Sequence, residues 1–147
     1  MGYPFKDILC PIDFDGNSME ALALATQMAA AHDSTLHLLH VVPITAPLGG
    51  PTTAYSTHGP VEEAARKKLE GIARERLAKV KHQVLLRVAP AADTAEAVVQ
   101  AAEELRPDLM VMATHGRTGL AHVFLGSVAE KVVRKARCPV LTVRAAG

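Results

Sequence analysis

The sequence predicts an α/β fold: a five-stranded parallel sheet with helices on both faces, doubly wound and Rossmann-like, with strand order 3-2-1-4-5. Three observations predict it. Short apolar runs alternate with helix-period segments from one end of the chain to the other. The runs are nearly continuous in apolar residues, as strands covered on both faces are. The 147 residues contain no internal repeat, so residues 1–147 read as one domain.

Taken in order, Phe5 to Asp13 (FKDILCPID) reads as a buried strand ending in a loop. A helix from about Asn17 to His32 follows, with Asn17 and Glu20 at capping-box spacing and Leu22, Ala25, Met28 and Ala29 at helical spacing. Thr35 to Val42 (TLHLLHVV) is the second strand. Residues 43–60 hold four prolines and three glycines without periodicity, which predicts a long flexible loop, either a lid or a tether. Val61 to about Val80 is a charged amphipathic helix with Leu69, Ile72, Ala73, Leu77 and Val80 on its apolar side. Val84 to Ala89 is the third strand, followed by a Pro/Ala turn. Asp93 and Glu96 cap a helix running to about Leu105. Asp108 to Ala113 (DLMVMA) is the fourth strand, Thr114 to Leu125 a glycine-containing loop, Ser127 to Ala136 a short helix, and Pro139 to Arg144 the last strand.

Composition excludes several function classes. Sixteen Lys and Arg against fifteen Asp and Glu give a net charge of +1, without the basic excess of a dedicated nucleic-acid binder. Aromatic residues make up only 3%, too few for a single-strand stacking platform. Cys10 and Cys138 make no disulfide framework and read as small hydrophobes beside buried strands. No apolar run approaches the roughly 20 residues of a membrane helix. The MGYPFKDI start has no signal-peptide core, and Lys6 stands where the myristoylation pattern wants Ser or Thr. A cytoplasmic domain with no nucleic-acid or membrane partner is expected. His32, His37, His40, His58, His82 and His122 lack metal-ligand spacing, so no zinc site is expected. The chain has no Walker loop, no Gly-x-Gly-x-x-Gly after the first strand and no Gly-x-Ser-x-Gly elbow.

Sheets of this kind bind ligands beyond the carboxyl ends of their strands, where the strand order reverses. The segments that reach that edge are Pro11–Ser18, Val41–Pro60 and Ala113–Ser127. The last is the richest: it leaves a strand, crosses a loop with Gly116 and Gly119, and enters a helix at Gly126-Ser127. A helix N-terminus offers free N–H groups and a positive dipole end to phosphate. Ser127 can add a hydroxyl donor and Arg117 a cation. The same residues also fit plain chain chemistry. Ser127-Val-Ala-Glu130 is a capping-box pattern, and Gly116 and Gly119 can simply turn the chain. Local chemistry leaves both readings open; location at a strand's carboxyl end favours a ligand. Asp13 can accept from a ribose or amino group or help hold a metal, and equally suits a turn. His115 could serve acid–base chemistry, but packing or bonding the turn is the expected role, since no carboxylate is identifiable to orient it.

Together FKDILCPIDF, HVVP and DLMVMATHGRTGL…LGSVAEKVVRKARCPVLTVR resemble a universal stress protein of the single-domain type, over the whole chain. In nucleotide-binding members of that family the motif is Gly, two residues, Gly, nine residues, Gly, then Ser or Thr. Here Gly116, Gly126 and Ser127 match, with Ala113 at the first position. A left-handed backbone at Ala113 would cost roughly 1–2 kcal/mol. The resemblance implies ATP, with Mg²⁺ carried by its phosphates, over the carboxyl ends of the first and fourth strands. The implied contacts are Pro11, Asp13, Val41, Met112, Ala113, Gly116, Arg117, Gly126, Ser127 and Val128. Asp13 would address adenine or ribose, the Val41 backbone the adenine edge, and Met112 the pocket wall. Ala113 and Gly116 would line the phosphates, and Gly126, Ser127 and Val128 would supply the helix terminus. Asp15 stands where many members carry Ser. With so few aromatics, adenine should be held by aliphatic walls and backbone rather than ring stacking.

The resemblance also implies a homodimer through the last strand, residues 139–144. The function it implies is an ATP-binding stress-response module with no dedicated catalytic residue. A slow Mg-dependent ATPase and a nucleotide-independent dimeric signalling protein are the alternatives.

Overall fold

The computed structural model describes residues 3–44, 58–115 and 125–144. Its elements alternate as β1 (Asp7–Pro11), α1 (Gly16–His32), β2 (Thr35–Pro43), α2 (His58–Leu77) and β3 (Val84–Ala91). Then come α3 (Thr94–Leu105), β4 (Leu109–Ala113), α4 (Ser127–Lys135) and β5 (Val140–Val143). All neighbouring strands pair parallel in the order β3-β2-β1-β4-β5, as expected. Strand order therefore reverses between β1 and β4, which brings the turn after β1 beside the chain leaving β4.

Side chains of period two divide the core into two layers. Ile8, Cys10, Ile12, Leu36 and Leu38 face Ala21, Leu22, Ala25 and Ala29 of α1 and Leu69 and Leu77 of α2. Leu9, Leu39, Val41, Met110 and Met112 face Val98, Val99 and Ala102 of α3 and Ala129 and Val132 of α4. Burying each Leu, Ile or Val contributes about 1.5–3 kcal/mol, so the apolar runs that predicted strands also hold the helices against the sheet. At the amino edge, Asp108 Oδ2 accepts from the Lys6 and Asp7 N–H groups at 2.8 and 3.0 Å, tying β4 to β1.

Several boundaries differ from the sequence expectation. α1 is capped by Asp15, whose side chain accepts from the Ser18 N–H, and Asn17 lies inside the first turn. β1 pairs only as far as Pro11, leaving Asp13 beyond the ladder. β3 continues through Pro90 to Ala91, where a turn was expected. It can do so because β3 is an edge strand, whose proline need not donate to a further neighbour. α2 begins at His58, three residues before the expected Val61; residues 45–57 of the expected loop lie outside the described residues. Among the described residues no helix is long and apolar enough to cross a membrane. Both cysteines are free, and burial pushes the Cys10 thiol up to about 12.

Candidate functional site

Three chain segments meet at the carboxyl edge of the sheet around the reversal point. Pro11 is the last residue of β1, with Asp13 two residues beyond; Val41 lies in β2, and Met112 and Ala113 end β4. Gly126, Ser127 and Val128 open α4. Gly116 and Arg117 lie outside the described residues. Val41 and Met112 share the α3/α4 layer at 7% and 5% exposure, so they form a floor rather than an open wall.

The turn from β1 into α1 is closed by hydrogen bonds. The Ser18 hydroxyl donates to Asp13 Oδ1 at 2.5 Å and accepts from the Asp13 N–H at 3.0 Å. The Asp15 N–H also reaches Asp13 Oδ1, at 3.2 Å, while Asp15 Oδ1 accepts the Ser18 N–H at 2.8 Å. Asp15 is thus the helix cap. Burial raises its pKa, and the Asp13 carboxylate beside it acts in the same direction, against the Ser18 N–H bond.

Between these acids Phe14 has φ 70°, a left-handed backbone that costs a bulky residue roughly 1–2 kcal/mol. Its ring stacks on His40, centroids 4.1 Å apart, and the Lys68 ammonium lies 4.8 Å from its centroid. His40 Nδ1 in turn donates to the Ile12 carbonyl at 2.9 Å. A ring pair joined to the Ile12 backbone just past β1 therefore secures the strained turn. Phe14 and His40 lie in the FKDILCPIDF and HVVP stretches, but their partnership with each other and with Lys68 was not legible, because it joins the β1–α1 turn to β2 and α2.

On the β4 side, the Gly126 N–H donates to the Thr114 carbonyl at 2.6 Å. A Cβ on Gly126 would lie 2.7 Å from that same oxygen, closer than side-chain carbons come to backbone. Gly126 has φ −67°, so close approach, and not left-handed backbone, requires the glycine. The glycine is also the α4 cap and offers no side chain to the first-turn N–H groups. The Ser127–Glu130 capping box, one of the two readings left open, does not form: Ser127 is already inside the helix and exposed, and the Glu130 carboxylate pairs forward with Arg134. Ala113 is extended and paired with Val143 in β4, so the left-handed cost does not arise there. His115 Nδ1 lies 3.0 Å from Thr114 Oγ1, bonding the turn as expected.

α4 is held against α3 by charge. Asp93 caps α3 and binds Lys131 at 2.5 Å, and Glu96 pairs with Lys135 and, at 3.5 Å, with Lys131. A groove of about 340 Å³ beside β3 has an alanine floor, and its charged rim residues are already paired, Arg87 with Glu104 and Glu96 with Lys135. Among the described residues no group of three His, Cys, Asp or Glu is placed to hold a metal ion. Among the described residues the edge holds a carboxylate in a closed turn and, across the reversal point, a helix terminus whose Gly126 cap supplies no side chain.

The family model described as the universal stress protein family matches residues 4–144. Universal stress protein MJ0531 of Methanocaldococcus jannaschii is 35% identical over 147 residues, covering 95% of this chain and 82% of that one. A universal stress protein of Thermus aquaticus is 36% identical over 141 residues, covering 95% and 99%. Among solved structures, protein MJ0577 superposes with a TM-score of 0.83 at 30% identity, covering 97% of each chain. A universal stress protein in complex with cAMP superposes at 0.71 and 22% identity, covering 95% and 97%, a likeness of fold.

Proposed function

The chain belongs to the universal stress protein family, and from that premise we propose that it is a cytoplasmic ATP-binding regulatory module of the stress response. ATP lies over the carboxyl ends of β1 and β4. The observation that carries this reading is the Gly126–Thr114 contact, which seats an uncapped helix terminus directly against the end of β4. Gly126 gives the first-turn N–H groups of α4 no side-chain cap, and with the Ser127 hydroxyl they suit phosphate oxygens. A helix terminus alone contributes about 0.3–1 kcal/mol, whereas micromolar binding needs about 8 kcal/mol. The remainder falls to Asp13 on adenine or ribose, to the Val41 backbone, to the floor of Val41 and Met112, and to Pro11, Ala113, Gly116, Arg117 and Val128. Mg²⁺, when present, would travel on the phosphates and neutralise their charge. The Phe14 ring is engaged by His40 and Lys68, which supports an adenine held without ring stacking.

The test is direct. Purified protein is denatured and the supernatant assayed for adenine nucleotide; in parallel, nucleotide-stripped protein is titrated calorimetrically with MgATP, AMP and cAMP. Released nucleotide or micromolar ATP binding is expected. Silence in both assays up to millimolar ATP sinks the reading.

A nucleotide-independent dimer is the second reading, and one observation supports its dimer. β5 is an edge strand, and Leu141 on it is 36% exposed. A homodimer through residues 139–144 is compatible with either function. Sedimentation of Leu141→Glu should show monomers; an unchanged dimer would place the interface elsewhere.

A further inference from the structure

We infer that Ser18 is a positioning residue for nucleotide recognition: it sets the orientation of the Asp13 carboxylate, an inference resting on the reading that Asp13 meets the ligand. Ser18 is only 4% exposed, too buried to meet a ligand itself. Yet three hydrogen bonds that close the β1–α1 turn involve it. Its hydroxyl donates to Asp13 Oδ1 and accepts from the Asp13 N–H, and its own N–H binds Asp15. The donors on Asp13 Oδ1 come from two directions, the Ser18 hydroxyl and the Asp15 N–H. Two donors on one oxygen hold the carboxylate more firmly than one would.

The rest of the turn explains why such a lock is needed. Asp13 lies beyond the paired part of β1, so no ladder bond holds its side chain in register. The next residue, Phe14, is in a left-handed conformation maintained from outside by His40 and Lys68. A turn secured on one flank by rings and on the other by the Ser18 hydroxyl presents Asp13 in one orientation before any ligand arrives. Preorganisation of this kind lowers the ordering cost of binding.

A double-mutant cycle in the full chain reads this out, with MgATP affinity measured by calorimetry and stability by urea unfolding. Ser18→Ala should weaken ATP about tenfold, as expected for loss of a hydrogen bond to a charged group. In the Asp13→Ala background the same change should weaken ATP by less than about twofold, because the residue Ser18 orients is gone. Ser18→Cys keeps the volume with a weak donor and should reproduce the loss, and Ser18→Thr, which restores the hydroxyl, should recover most of the affinity. A purely structural serine would lower stability in both backgrounds and leave the affinity cycle additive. Additive losses, or wild-type affinity in Ser18→Cys, overturn the inference while leaving ATP binding standing. Absence of ATP binding by the wild-type chain overturns the ATP reading, and the inference with it.

Discussion

α3 and α4 lie side by side on the same face of the sheet and begin in opposite ways. α3 starts with Asp93, whose Oδ1 accepts the Glu96 N–H at 3.1 Å and whose other oxygen binds Lys131. Its positive end is covered from within the chain. α4 starts with Gly126, which has no side chain to offer, and is pressed by that glycine against the Thr114 carbonyl. One helix terminus is covered by its own carboxylate; the other receives no side-chain cap among the described residues. α1, capped by Asp15, belongs to the first kind. A helix terminus marks an anion site only where the chain declines to fill it, which is why the glycine matters more than the adjacent serine.

The sharpest way to break this contrast is Gly126→Ala. Its Cβ meets a backbone oxygen that cannot move aside, so about 1–3 kcal/mol of stability should be lost by urea unfolding. ATP affinity should fall at least about tenfold as α4 is pushed off β4. Full affinity in this variant would separate the phosphates from α4.

Ser127→Asp converts the start of α4 towards that of α3. An acid in the first turn should raise stability by about 0.3–1 kcal/mol and, by repelling phosphate, weaken ATP roughly tenfold. The opposite signs make the result hard to mimic by misfolding; ATP affinity that stays constant would count against the proposed site. Asp93→Ala, on the structural side, should cost about 1 kcal/mol of stability and leave ATP affinity within about twofold.

The smallest effects are those of pH. Lys131 holds the Asp93 carboxyl below its ordinary range, and Lys135 does the same for Glu96. A depressed carboxylate stabilises the fold above its unfolded pKa, and that stability is lost as pH falls through the folded value, below about pH 4. Asp15 has the opposite sign. Its folded pKa is raised, so the folded chain takes up that proton first and stability falls as pH rises through the folded value. Urea midpoints from pH 3 to 6 should therefore change in opposite senses for Asp93→Asn and Asp15→Asn; parallel shifts would contradict the assignment.

The strands of the sheet were legible because apolar runs report burial on two faces, and the Asp93 cap was legible because its partner Glu96 is three residues away. The α1 cap was misread at Asn17 because Asn17–Glu20 and Asp15–Ser18 both satisfy a local rule. The choice between them is made by the left-handed Phe14, whose partners His40 and Lys68 are distant in sequence. Pro90 looked like a turn because nothing local says that its strand lies at an edge. Ala113 looked costly because a motif glycine suggests unusual backbone; pairing with Val143 shows an ordinary strand residue instead. Gly126 was picked out by its motif, but its reason, a carbonyl 2.7 Å from a virtual Cβ, depends on where two distant segments converge.

The buried Cys10 has a practical consequence for following this molecule in solution. With its thiol held near 12 and no exposure, it carries no thiolate at neutral pH for a maleimide to attack. Burial raises the Cys138 thiol as well, but Cys138, half-buried just before β5, is the more accessible of the two. The native chain should therefore consume one equivalent of reagent where the unfolded chain consumes two. A fluorophore attached that way would sit next to the β5 edge, giving a single-site reporter of self-association without any engineered cysteine.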